Sequence, residues 1–260
     1  MSDAGRRALA GVRREPPPFR TVAVMGVEAL SPHMLRITLG GEELAGLVVD
    51  EPAASIRLLV PAPGQELVIP TWNGNEFLLE GGARPIIRTF TPLNLDMAAL
   101  TIDVDVVKHP GGAISSWAAA AGAGAAAAIS GPGRGYTVDR EAPAYLLAGD
   151  ETALPAIGQL IEAIPAATAL HAIVELAHPA AQLDLPAHPR LTTEWVIRSD
   201  AGIPGSGLVP AIQRVALVEE AKVWVAGEAA AMHRVRRHLF DDRGLARVDA
   251  TVRGYWKHGR

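Results

Sequence analysis

Residues 88–91 read Arg-Thr-Phe-Thr, which sets a guanidinium, two hydroxyls and an aromatic ring on consecutive positions before Pro92. On a strand, Arg88 and Phe90 share one face. Core packing is the common fate of a strand aromatic, but an arginine buried beside it needs an anion. Alternation alone proves only a strand edge. A second stretch, "KHPGGAISSW" over 108–117, carries a different chemistry. Gly111 and Gly112 permit close backbone approach, and a helix starting near Ala113 or Ile114 would aim N–H groups at a phosphate. His109 also fits an exposed turn before Pro110, and Ser115 or Ser116 a plain N-cap.

The third stretch is "LLAGDETALPAI" over 146–157, where an apolar run ends at Gly149 and Asp150 and Thr152 precede a helical pattern. "VWVAGE" repeats the signature at Gly227 and Glu228. In an open parallel sheet, ligands bind outside the carboxyl ends of the strands. Each acid alone also fits a helix cap. Two strand ends with the same glycine–acid signature favour a ligand crevice over two coincidental caps. There is no G-x-G-x-x-G, so an ordinary dinucleotide fingerprint is not indicated.

Composition limits what these residues can do. The chain has 260 residues, 49% hydrophobic and 20% charged, which is globular and long enough for two domains. A net charge of −4 argues against a general nucleic-acid binder. There is no cysteine, which excludes disulfides, thiolate nucleophiles, zinc–thiolate sites and iron–sulfur clusters. Redox chemistry would rest on an organic cofactor or a metal held by other ligands. The N-terminal stretch is arginine-rich and lacks the apolar core of a secretion signal. The longest alanine-rich stretch, "WAAAAGAGAAAAISG", is broken by glycines and makes no membrane span. The expectation is a soluble, cytoplasmic protein, monomeric, with a mobile arm over 1–18.

Two patterns must position the reactive stretches. From Phe19 to Tyr136, β-prone runs such as "MLRITLGG", "IRLLVPAP", "IIRTFT" and "LTIDVDVVKH" alternate with turn residues, the pattern of a small antiparallel barrel or sandwich. After Glu141, strands alternate with helix-like segments, which implies βαβ units in a doubly wound parallel sheet. The boundary falls near 139–143.

In order and spacing the chain resembles the siderophore-interacting proteins, flavin-dependent ferric-siderophore reductases related to the ferredoxin–NADP reductases. The resemblance runs from Phe19 to Gly259. It rests on RTFT (88–91), DVVKHPGGAISSW (105–117), ISGPGRG (129–135), LLAGDETALPAI (146–157), VWVAGE (223–228) and RGYWKHG (253–259). It implies an N-terminal FAD-binding β-barrel domain over 19–140 and a C-terminal α/β domain over 141–260 that binds NADH or NADPH.

The residue roles below are what that resemblance implies. Arg88 would pair with the FAD pyrophosphate, Phe90 lie against the isoalloxazine ring, and Thr91 reach its reactive edge, with Thr89 between them. Asp105, His109, Gly112, Ala113 and Ser115 would complete the cradle, His109 on the ribityl or adenosine side and Ser115 at the pyrophosphate. Gly149, Asp150, Thr152, Ala153, Gly227, Glu228 and Trp256 would line the nicotinamide crevice. Arg57 and Arg134 would attract an anionic ferric siderophore, which would be reduced without direct protein–iron bonds. Isolated surface arginines fit the same two positions. Arg198, Arg234, Arg236 and Arg237 fit either a pyridine-nucleotide contact or a solvated face. Tyr255 and Trp256 fit either a flavin-side aromatic or a plug against the sheet. Phe90 stands where the family more often has tyrosine and Leu93 where it often has a second arginine, so weaker flavin binding is expected. The family often has a further helix after RGYWKHG; the chain stops at Arg260, which would leave the site more open. The other functions considered are a flavin-dependent reductase for a separate protein electron carrier, and a non-catalytic flavin- or siderophore-binding protein.

Overall fold

A computed structural model of the protein describes residues 15–199 and 202–259. Most of the expected arm over 1–18 lies outside the described residues. In the part that is described, the Pro17 carbonyl accepts a hydrogen bond from the Ser130 hydroxyl at 2.5 Å.

The first half comprises strands β1 (Phe19–Ser31), β2 (Met34–Gly40), β3 (Ser55–Val60), β4 (Thr71–Trp72), β5 (Phe77–Leu78), β6 (Ile86–Phe90), β7 (Leu93–Asp96) and β8 (Thr101–Val107), then helix α1 (Ala113–Ala120) and β9 (Ala126–Gly133). Seven of these strands form one antiparallel sheet in the order β6-β3-β9-β1-β2-β8-β7, with β4 and β5 a separate hairpin. Period-two alternation decides which way each strand faces. On β8, Ile102, Val104 and Val106 point inward while Asp103 and Asp105 point out. Ile86 and Phe90 of β6 and Leu95 of β7 pack on the same core as the central strands. The sheet is thus rolled into the expected barrel, with Ile114 and Ala118 of α1 packed into the same core. Strand β9 occupies the middle of the sheet, between β3 and β1. Its alanines 126–128 lie in the run expected to be only an alanine-rich stretch. Alanine is a weak strand former, but pairing on both sides and complete burial of Ala127 and Ala128 override that preference.

The second half comprises β10 (Ala144–Asp150), α2 (Leu154–Ala163), β11 (Ala169–Leu176), β12 (Leu191–Ile197), α3 (Leu208–Arg214), β13 (Lys222–Glu228), α4 (Ala229–Arg237) and β14 (Ala250–Trp256). The five strands are parallel in the order β12-β11-β10-β13-β14. Tyr145 and Leu147 of β10 face α2, whereas Leu146 and Ala148 face α3 and α4. Strands covered on both faces read as the unbroken apolar runs seen in the sequence. The order reverses between β10 and β13, so the switch-point crevice opens beside Gly149 and its partner Ala226.

The halves share a core. Met34 and Ala53 of the barrel are 1% exposed and pack in the cluster built around α2.

Candidate functional site

Arg88, Thr89 and Phe90 lie on β6, the edge of the barrel sheet, with Thr91 just past its end, and the four residues divide among three environments. Arg88 and Phe90 sit opposite Leu58 and Ile56 of β3, on the face that turns inward. Phe90 is half-buried against the barrel core. Arg88 is exposed instead of buried, because no strand among the described residues lies beyond β6 and the long side chain reaches past the edge into solvent. Its only side-chain hydrogen bond among the described residues runs to the Ile87 carbonyl at 2.8 Å, and it makes no ion pair there. Thr89 faces the other way, opposite Arg57. Thr91 is buried at the seam between the domains, close to the Tyr255 phenol.

Helix α1 begins at Ala113, as the sequence predicts, with Gly112 as its N-cap and no side chain capping its first turn. Gly111 takes a φ of 73°, a left-handed turn that favours glycine. A Cβ at Gly112 would collide with the His109 ring. The Ser115 hydroxyl oxygen accepts the His109 N–H at 3.0 Å, so Ser115 folds the loop back toward the helix start. The uncapped first turn keeps N–H groups directed out of the helix end, the arrangement that receives phosphate. Asp105 is not part of this cradle. It lies on the outer face of β8, where Arg36 takes both its oxygens at 2.8 and 2.9 Å. A groove of about 650 Å³ lies between α1, Ile86 of β6 and the 61–65 loop, lined by Ala113, Ser116 and Trp117. Nothing in the sequence pointed to it except the run of small residues on α1.

At the sheet's carboxyl edge, three strand ends meet on Asp150. Its Oδ1 accepts the Thr152 N–H at 3.0 Å and the Thr152 hydroxyl at 2.5 Å. Its Oδ2 accepts the Glu228 N–H at 3.0 Å and the Trp256 indole N–H at 2.8 Å. Burial pushes the Asp150 carboxyl up from the ordinary aspartate range, while these donors pull the other way. The two glycines follow from the same crowding. A Cβ on Gly149 would collide with the Ala153 methyl and stand 2.6 Å from the Ala226 carbonyl, and one on Gly227 would stand 2.6 Å from Asp150 Oδ2. Glu228 caps α4 by accepting the Ala231 N–H at 2.9 Å and also accepts the His258 N–H at 3.3 Å. The helix-cap reading therefore applies to both Asp150 and Glu228, and the two strand ends are joined as well. Tyr255 takes the plug role, packed on the α2 core and edge-on to Trp224 at 6.3 Å.

Two further buried carboxylates occupy this edge, and sequence reasoning did not single them out. Glu175, at the end of β11, accepts N–H bonds from Gly205, Gly207 and Leu208, with Arg198 3.9 Å away. Glu151 accepts the Ala177 N–H, and burial pushes its carboxyl up. Both are acids beside the end of an apolar strand, the signal that exposed Asp150 and Glu228. Arg234 and Arg236 hydrogen-bond the Pro204 and Val252 carbonyls.

Arg57 and Arg134 hang from adjacent strands. Ser55 pairs with Gly133, so Arg134 follows directly on the partner of a residue two before Arg57. The Arg57 guanidinium lies 5.9 Å from the centre of the Phe77 ring. Neither arginine makes an ion pair among the described residues. An uncompensated positive corner of this kind attracts anions.

Comparison with known proteins covers both halves. Residues 23–136 match the family model described as siderophore-interacting FAD-binding domain, and residues 142–259 the one described as siderophore-interacting protein. An uncharacterized protein of Mycobacterium tuberculosis is 33% identical over 259 residues, covering 94% of this chain and 92% of that protein. A siderophore utilization protein from T. fusca superposes with a TM-score of 0.83 at 34% identity, over 95% of this chain and 96% of that one. The ferric vibriobactin reductase ViuB of Vibrio cholerae is 26% identical over 239 residues, 89% of this chain and 86% of that protein. No helix among the described residues is long and apolar enough to cross a membrane.

Proposed function

Because the chain belongs to the siderophore-interacting protein family, we propose that it is a cytoplasmic flavoprotein that passes electrons from NADH or NADPH through FAD to a ferric siderophore. The observation that carries this reading is the pairing of two features on the barrel. They are an exposed arginine without an ion-pair partner on the β6 edge and an uncapped helix end at Gly112. Together they fit a pyrophosphate. Bound FAD would accept two electrons as hydride and release them singly to Fe(III), which a nicotinamide alone does not do.

The chain's own residues divide the remaining work. Arg88 and the first N–H groups of α1 hold the pyrophosphate, and Phe90 offers its half-buried ring to the isoalloxazine. The apolar groove beside α1 takes the adenosine end. Gly149–Ala153 and Gly227–Glu228 shape the crevice for the nicotinamide, Asp150 fixing their backbones and Trp256. Arg57 and Arg134 draw in the anionic iron chelate, which is substrate and not a resident metal.

Steady-state oxidation of NADH and NADPH, with and without ferric siderophores, tests the whole reading. Turnover that depends on the chelate supports it. Turnover only with an added protein carrier, or flavin binding without turnover, overturns it. Two variant series locate the steps. Arg57→Ala and Arg134→Ala should each raise the KM for an anionic ferric chelate and leave flavin reduction alone. Rising salt should mimic them, since exposed charges are screened over about 8–10 Å at physiological ionic strength. A neutral ferric complex should show neither effect. At the other end, Thr152→Ala and Glu228→Ala should keep FAD bound but slow flavin reduction in stopped flow. Glu228→Ala should also cost about 1 kcal/mol of stability through loss of the α4 cap. Normal reduction rates in both variants would reject the crevice assignment.

A further inference from the structure

Arg253 lies on β14, the last strand of the nucleotide-binding half, but its side chain is spent on the barrel. One nitrogen, Nη1, donates to the Ala53 carbonyl at 2.9 Å and more distantly to the Arg134 carbonyl at 3.5 Å. The other, Nη2, donates to the Gly135 carbonyl at 2.7 Å. These three acceptors belong to two chain segments, and the segments lead to the two substrate arginines. Ala53 precedes β3 and Arg57 by four residues, while Arg134 and Gly135 follow β9. The segments are already close-packed. The Tyr136 N–H bonds the Pro52 carbonyl at 2.8 Å, and a Cβ on Gly135 would collide with Glu51.

Ala53 is gripped on both sides of its backbone. Gln159 of α2 accepts its N–H at 2.9 Å and uses its amide nitrogen to bond the Pro92 carbonyl at 2.8 Å, just past Thr91. Ala53 also holds a φ of 53°, a left-handed conformation that is unfavourable for alanine and persists where its surroundings hold it. Arg253 has no carboxylate partner among the described residues. Its role is set by the planar fork, which reaches two separate carbonyls at once.

We propose that Arg253 is a positioning residue for chelate binding, which fixes the relative placement of Arg57 and Arg134 from the opposite domain by bridging the Ala53 and Gly135 carbonyls. The inference rests on the reading of those two arginines as the chelate site. It differs from a third anion-binding arginine in a way that can be measured. A bridge needs the fork, whereas an anion contact needs only the charge. Arg253→Lys keeps the charge and loses the fork, and Arg253→Gln loses both.

The decisive experiment combines hydrogen–deuterium exchange of the chelate-free holoprotein with steady-state kinetics on Fe(III)–EDTA, a monoanion. In both variants, exchange should quicken in segments 51–57 and 133–137 and stay unchanged in β10–β13. Both should raise the KM for Fe(III)–EDTA about five- to twentyfold, since small misplacement of a binding group carries penalties of this order. The rate of flavin reduction by pyridine nucleotide should be unaltered, and the salt dependence of KM should persist because Arg57 and Arg134 keep their charges. A wild-type KM in Arg253→Lys, or loss of the salt dependence in Arg253→Gln, would show a direct charge contact and overturn the proposal. So would unchanged exchange in the two segments, whatever the kinetics. Failure of the underlying reading shows differently, as absence of chelate-dependent turnover in the wild-type protein.

Discussion

Arg88→Ala should weaken FAD binding about ten- to a hundredfold, the loss expected when a charge-assisted hydrogen bond on the order of 1.5–3 kcal/mol is removed. The fold should tolerate the change, because Arg88 is exposed and its only side-chain hydrogen bond among the described residues is to a neighbouring carbonyl. Stability of the apoprotein should stay within about 0.5 kcal/mol, as for other surface substitutions. Arg88→Lys should fall between, retaining a charge but not the fork that matches two phosphate oxygens. FMN, which lacks the pyrophosphate and adenosine, should bind more weakly than FAD to the wild type and lose less in the variant. Flavin fluorescence titration measures all of these. An unchanged FAD affinity in Arg88→Ala would remove β6 from the cofactor site.

Asp150→Ala should produce the largest loss of stability in the C-terminal half. It strands the buried N–H groups of Thr152, Glu228 and Trp256, which now point at its carboxylate. Each unsatisfied buried donor costs about 1–3 kcal/mol, so a loss on the order of 3–5 kcal/mol is expected after partial relaxation. Denaturant unfolding followed by far-UV circular dichroism gives the value, and a loss below about 1 kcal/mol would show that the three strand ends are held by other contacts. Asp150 also gives the pH dependence a sign. Its folded pKa is raised, so the folded state binds the proton more tightly than the unfolded chain does. Its contribution is therefore most favourable below the unfolded aspartate range of about 4 and declines as pH rises toward the folded value. Glu151, raised by burial as well, adds a decline of the same sign. The slope in the window just above pH 4 should flatten when Asp150 is removed.

What could be read in the sequence followed from two kinds of signal. Unbroken apolar runs ending in glycine and an acid identified β10 and β13, because a strand buried on both faces has no polar positions to disguise it. The same rule holds for β11 and Glu175, but there no glycine stands before the acid to draw attention to it. The helix start at Ala113 was legible from glycine placement. Strand β9 was not, because alanine carries almost no strand preference and only its neighbours decide its conformation. That Arg88 shares a face with Phe90 is legible from strand alternation, but its exposure is not, since sequence does not say that β6 is the edge of the sheet. Asp105 enters the expected cofactor cradle only through the family resemblance of residues 105–117. Cross-strand pairing with Arg36, 69 residues away, assigns it elsewhere.

The seam between the halves has a consequence for recombination. Met34 and Ala53 of the barrel are buried in the core of the other half, and Gln159 and Arg253 reach back to fasten the barrel's loops. A C-terminal half transplanted from a relative would have to bring a matching hollow and both side chains, or Ala53 would relax from its left-handed conformation. The two halves are distinct as modules in the sequence and yet are not interchangeable as parts, so partner preference in this chain would change by substitutions across the seam more readily than by exchange of whole domains.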